Sequence, residues 1–179
     1  MLSNIAVSRL IISNIYWGFM KKIEKFKIEV EKLSFASLIK SYPALSAELE
    51  SRNVIILPSQ GNDDEFYNGS LDTLDYLNNN SDVIEADIYS TDDNYKEIGL
   101  HAAEIWLGTI IIQYVVAPIF CSLIAAYIYD ELKSKDDDDI SLKFIVEKKD
   151  GSTKSVSYDG KVQNLQKAID AVKEISDER

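Results

Sequence analysis

The side chains best suited to chemistry gather in the stretch SQGNDDEFYNGS at positions 59–70. Gln60, Asn62, Asp63 and Asp64 place two amides and two carboxylates close together, a donor and acceptor set that suits a hard cation or a sugar. In α/β folds, loops beyond the carboxyl ends of strands are where ligands bind. Asp63, Asp64 and Glu65, with Asp92 and Asp93 further on, are the carboxylates from which an acid–base pair would be drawn. Such a pair needs a defined separation and unequal surroundings, which spacing alone does not provide. The plainer reading of 59–70 is a solvated connection with turns at Gly61 and Gly69, and that reading is favoured. Asp136–Asp139 lack the alternate spacing and the glycine of a calcium loop and read as a solvated linker.

Composition excludes several chemistries outright. His101 is the only histidine and Cys121 the only cysteine. No disulfide can form within the chain, no cysteine zinc cluster can be built, and mechanisms needing two histidines are excluded. Neither a Walker-type phosphate loop nor a dinucleotide glycine fingerprint is present. No catalytic, cofactor-binding or metal residues are therefore assigned, and a non-enzymatic protein without cofactor is expected. A net charge of -11 argues against duplex nucleic-acid binding, whose affinity comes from cations on phosphates. Seven basic and three acidic residues occupy 1–40, two and fourteen occupy 41–104, and ten and thirteen occupy 130–179.

Between the last two blocks lies IWLGTIIIQYVVAPIFCSLIAAYIY, residues 105–129, without one charge. As a helix rising about 1.5 Å per residue it would cross the roughly 30 Å core of a bilayer. Trp106 and Tyr127 at its ends suit an aromatic belt. Its expected membrane or oligomer interface comprises Ile105, Trp106, Leu107, Ile110, Ile111, Val115, Val116, Ile119, Phe120, Leu123, Ile124 and Tyr127. The alternative is an apolar helix buried at the centre of a soluble oligomer. Lysines after the span place the C-terminal part in the cytoplasm, yet the first hundred residues carry no secretory signal; inner membrane is the expected location, cytoplasm the alternative.

The remaining elements are short. Residues 1–22 read as an apolar, amphipathic helix. Phe26, Ile28 and Val30 alternate with charged residues as a strand with one dry face. A helical turn at Phe35–Ile39, a fresh helix started by Pro43, a doubly buried strand at Val54–Leu57, a helix on Leu71, Leu74 and Leu77, and a strand at Ile84–Ile88 follow. Thr91–Asn94 offers caps for the long helix. After the linker, Leu142–Glu147 is a strand, Asp150-Gly151 a turn, Lys154–Tyr158 a second strand and Val162–Val172 one face of a helix. The fold class is α+β: an acidic α/β unit over 23–94, a long central hydrophobic helix over 95–132, an acidic linker over 133–140 and a ββα module over 141–179.

That last module, with FIVEKKDGSTKSVSYDG followed by NLQKAIDAVKEI, resembles the effector-associated constant-component adaptors of bacterial conflict systems over residues 140–176. The resemblance implies an adaptor that couples effector and sensor proteins, and it carries no catalytic residues. Function is thus expected to be association: a membrane-associated or self-associating docking subunit, partnered by lipid or protein, in a bacterial assembly of the antiviral-defence kind. A membrane-disrupting effector whose central helix oligomerises is the alternative.

Overall fold

The computed structural model describes residues 23–59, 64–99 and 104–178. The N-terminal amphipathic helix, Gln60, Asn62, Asp63 and His101 lie outside these residues. The class is mixed α+β. Among the described residues eight strands run β1 (Lys25–Glu31), β2 (Val54–Leu57), β3 (Glu65–Tyr67), β4 (Ala86–Ile88), β5 (Lys96–Ile98), β6 (Glu104–Gln113), β7 (Asp139–Glu147) and β8 (Thr153–Lys161). Helices are α1 (Phe35–Ser41), α2 (Ser46–Leu49), α3 (Ser70–Asn79), α4 (Ala117–Ala126) and α5 (Gln166–Asp177). Six strands form one sheet in the order β1-β8-β7-β6-β2-β4, while β3 and β5 make a separate parallel pair. Within the large sheet β6 runs parallel to β7 and β2 to β4, and the other neighbours are antiparallel.

The sheet has two faces of unequal cover. On one, α3, α4 and α5 close over Val54, Ile56, Ile110, Ile112, Phe144, Val146 and Val156, with the rings of Phe120 and Phe144 meeting edge-on at 5.1 Å. On the other, α1 and α2 cover Ile55, Leu57, Ile111 and Ile145 with Phe35, Leu38, Leu45 and Leu49. This second layer reaches only the β2–β6–β7 half. Ser34 starts α1 with reciprocal bonds: its Oγ accepts from the Ser37 N–H, and the Ser37 Oγ accepts from the Ser34 N–H. The Phe35 N–H donates to Glu147 Oε2 at 2.7 Å, so a carboxylate from the end of β7 sits on the helix start.

The long hydrophobic helix is not formed. Residues 105–129 divide into β6, a turn at 114–116, α4 and a π-helical turn at Tyr127–Glu131. No helix among the described residues is long and apolar enough to cross a membrane. Three local causes are visible. The run Thr109–Ile112 is β-branched throughout and favours extended backbone. Gly108 adopts φ 73 at a register shift between β6 and β7, a left-handed value that breaks helical continuity. Pro118 lies in the first turn of α4, where its missing N–H costs nothing. The absence of charge from Ile105 to Gln113 has a different origin from lipid: a central strand with helices on both faces is apolar at successive positions.

Several neighbouring expectations shift with it. Thr91–Asn94 is a turn into β5 and caps no long helix. The strand at 25–31 has no dry face: Phe26, Ile28 and Val30 are 38%, 49% and 81% exposed. The second hairpin strand, expected over Lys154–Tyr158, runs on to Lys161 against β7. The turn at Asp150-Gly151 forms, with Gly151 at φ 80 and the Ser152 N–H donating to Asp150 Oδ1. The sheet also crosses the expected unit boundaries: β1, from the first, pairs all along with β8, from the last.

Candidate docking surfaces and the open half of the sheet

Of the expected interface residues, most belong to the protein's own core. Leu107, Ile110 and Ile111 are buried in β6, Val116 precedes α4 in a buried position, and Phe120, Ile124 and Tyr127 face the sheet. Ile105, Trp106 and Leu123 are half-buried. Only Val115 and Ile119 point outward, at 62% and 42% exposure. With Pro118 and Ser122 they give α4 an outer side without charge, whereas α5 presents Lys167, Asp170 and Glu174 to solvent. At the C-terminal end of α4 the surface turns acidic. Asp72, Asp75 and Glu131 line a cleft of about 440 Å³ together with Tyr76 and Tyr127, whose rings lie 5.0 Å apart.

The carboxylate-rich loops do not assemble into a reactive centre in the described part. Asp64 forms an ion pair with Lys96 at 2.5 Å, using its Oδ2 to tie β3 to β5. The Ser59 hydroxyl donates to the Glu65 carbonyl at 2.8 Å. Asp138 accepts from the Lys135 N–H, and Asp139 pairs with Lys161 at 3.0 Å inside the sheet, so the aspartate run caps a turn and begins β7. Among the described residues no group of His, Cys, Asp and Glu is placed to hold a metal ion. The Cys121 thiol is buried and pushed up to about 12, chiefly by desolvation, which keeps it from being a nucleophile.

A site that sequence reasoning did not find lies on the open half of the sheet. Where α1 and α2 stop, a cleft of about 380 Å³ runs over β1, β8, β7 and the start of β6. Its floor carries Ser141, Ser157 and Thr109, its rim Lys25, Lys27 and Lys143, and one wall the tilted pair Tyr67–Trp106 with centroids 5.3 Å apart. Gly108 is required here. A Cβ at that position would stand 3.2 Å from Tyr67 Cδ2 on backbone that already disfavours side chains. Lys143 pairs with Glu31 at 2.5 Å across β7, β8 and β1. Burial works to raise the Glu31 carboxyl, but the bond from Lys143 and the lysine charge outweigh it, holding the group below the usual carboxylate range. Glu31 is therefore a standing anion near neutral pH and no proton donor. The cleft offers hydroxyls, ammonium groups and an aromatic wall, which is recognition chemistry without a nucleophile–base pair. Its only forewarning in the sequence was the lysine alternation in β1.

That strand is the third surface. β1 is an edge of the large sheet, bonded to β8 on one side. Phe26 and Ile28 lie in register with Tyr158 and Val156, so they extend the helix-covered face past the reach of α5. Lys167 from α5 bridges the gap, with Nζ 5.6 Å from the Phe26 ring centroid and an ion pair to Glu24. No protein family, curated protein or solved structure matches this chain.

Proposed function

We propose that this chain is a non-enzymatic adaptor that docks a protein partner against the outer side of α4, within a larger bacterial assembly of the conflict-system kind. The observation that carries the reading is the uncharged outer side of α4, with Val115 and Ile119 largely in solvent while the other large apolar residues of β6 and α4 are buried or half-buried. The acidic cleft of Asp72, Asp75 and Glu131 at the end of the same helix sets the partner's chemistry: an aliphatic ridge flanked by Lys or Arg. The strand–turn–strand–helix of 139–177 supports the same reading through its resemblance to adaptor modules, and the recognition chemistry of the sheet cleft is in keeping with it.

The test is co-expression with the products of adjacent genes, followed by purification on a tag carried by this chain. A stoichiometric complex is expected, weakened by salt, lost with Ile119→Glu and unchanged with Asp137→Asn. A complex indifferent to Ile119→Glu, or no complex with any neighbour, overturns the assignment.

A further inference from the structure

The edge strand β1 and its flanks read IEKFKIEVEKL, residues 23–33. Turned antiparallel on itself about Ile28, this segment is complementary at each position. Lys27 meets Glu29, Lys25 meets Glu31 and Glu24 meets Lys32, while Phe26 meets Val30, Ile23 meets Leu33 and Ile28 meets Ile28. Opposite residues in an antiparallel pair share a face, so within β1 the charged pairs Lys25–Glu31 and Lys27–Glu29 fall on one side of the sheet and Phe26–Val30 and Ile28–Ile28 on the other, while the flanking pairs invert, Glu24–Lys32 on the apolar side and Ile23–Leu33 on the charged one. Other alignments lose this match. Sliding by two residues sets Lys27 against Lys27 or Glu29 against Glu29, and a parallel arrangement aligns like charges throughout.

The structure leaves the strand ready for such pairing. Its outer edge has no neighbour among the described residues, and Ile28 and Val30 project past α5, while Phe26 is met by the Lys167 side chain and is still 38% exposed. Exposed, flat and apolar edges are what proteins ordinarily blunt. Here the lysines usually used for blunting alternate with glutamates that cancel them on a second copy. Lys27 and Glu29 of one chain lie 3.7 Å apart with both side chains well exposed, free to exchange partners across a twofold axis. Glu31 remains with Lys143, so the central Lys27–Glu29 pairs set the register.

We infer that β1 is a homodimerisation strand: two copies join edge to edge about Ile28, extending the six-stranded sheets into one sheet through the twofold. This inference stands on β1 and does not require the α4 docking face.

Sedimentation of the full chain across a concentration series tests it. The unaltered protein is expected to form a dimer. Lys27→Glu alone and Glu29→Lys alone each place like charges opposite one another twice across the axis, and each should weaken the dimer by about tenfold or more. The double variant restores complementarity and the dimer. Most diagnostic is the mixture of the two single variants, which should form a heterodimer although neither pairs well with itself. Both positions are exposed, so thermal melts of the variants should match the parent at dilutions where chains are separate. A monomer at high concentration overturns the inference and points to residues 1–22 or another protein as the cover for β1. A dimer insensitive to both charge reversals, or one lost with Ile119→Glu, overturns it in favour of a different interface.

Discussion

Strands β6 and β1 both carry large apolar side chains, and those side chains have opposite fates. β6 sits between β7 and β2 with helices on both faces, and Ile110, Ile111 and Ile112 are fully buried. β1 lies at the margin of the same sheet, and its three large apolar residues meet solvent. The free energy of burying apolar area is the same quantity in both places. In β6 it is realised within one chain and holds the fold; in β1 most of it is left for association. What separates them is position in the sheet together with composition: four of the seven residues of β1 are charged, against one of ten in β6.

Substitutions in matched pairs sharpen that contrast. The largest gap is expected just beyond β6, between adjacent residues. Val116→Arg buries an unpaired charge and should cost on the order of 4 kcal/mol or more, whereas Val115→Arg should stay within about 0.5 kcal/mol in urea unfolding. Next come the strands themselves. Ile110→Ala should destabilise the monomer by about 2–5 kcal/mol, and Ile28→Ala by well under about 1 kcal/mol when measured at dilutions where chains are separate. Equal losses at the two isoleucines would break the comparison.

Gly108→Ala tests the bend in β6 that shapes the cleft. Left-handed backbone with a Cβ costs about 1–2 kcal/mol, and the push on Tyr67 should alter the near-ultraviolet signal of the Tyr67–Trp106 pair. The smallest effect concerns acid. Glu31 and Glu178 are both held below the usual carboxylate range, Glu31 against its burial by Lys143, Glu178 by bonds from Lys154 and then Lys148. A depressed carboxyl adds stability that is fully present above its unfolded pKa and is lost as pH falls through the folded one. Glu31→Gln should therefore lower stability slightly at neutral pH and make the acid limb of a stability–pH curve shallower. An unchanged acid limb would show that the pair across β1 and β7 contributes nothing to anchoring the edge.

Much of the fold was legible because local chemistry and tertiary position agreed. Val54–Leu57 is an unbroken apolar strand buried on both faces, Asp150-Gly151 turns a hairpin, and Leu77 and Val172 mark helix faces that do reach the core. The span 105–129 failed where they disagreed. A central strand followed at once by a helix with an uncharged outer side gives the same uninterrupted hydropathy as a membrane helix, and only Gly108 and Pro118 hinted at the join. β1 failed for a different reason. Its alternation correctly announced a strand, but whether the apolar side is covered depends on a helix about 140 positions away, as the Asn164–Glu24 bond illustrates. The cleft was invisible for the same cause, since Lys25, Tyr67, Trp106 and Lys143 meet only once the sheet is ordered.

The pairing of β1 with β8 also has a consequence for timing. Glu31 and Thr153 are 122 residues apart in the chain, and a ribosome adding roughly 5–20 residues per second needs on the order of ten seconds to travel that distance. Throughout that interval the earliest strand has emerged while its neighbour is still unwritten message. Completion of the sheet therefore belongs to the end of translation, and nascent chains crowded on one polysome carry identical unpaired strands side by side while they wait.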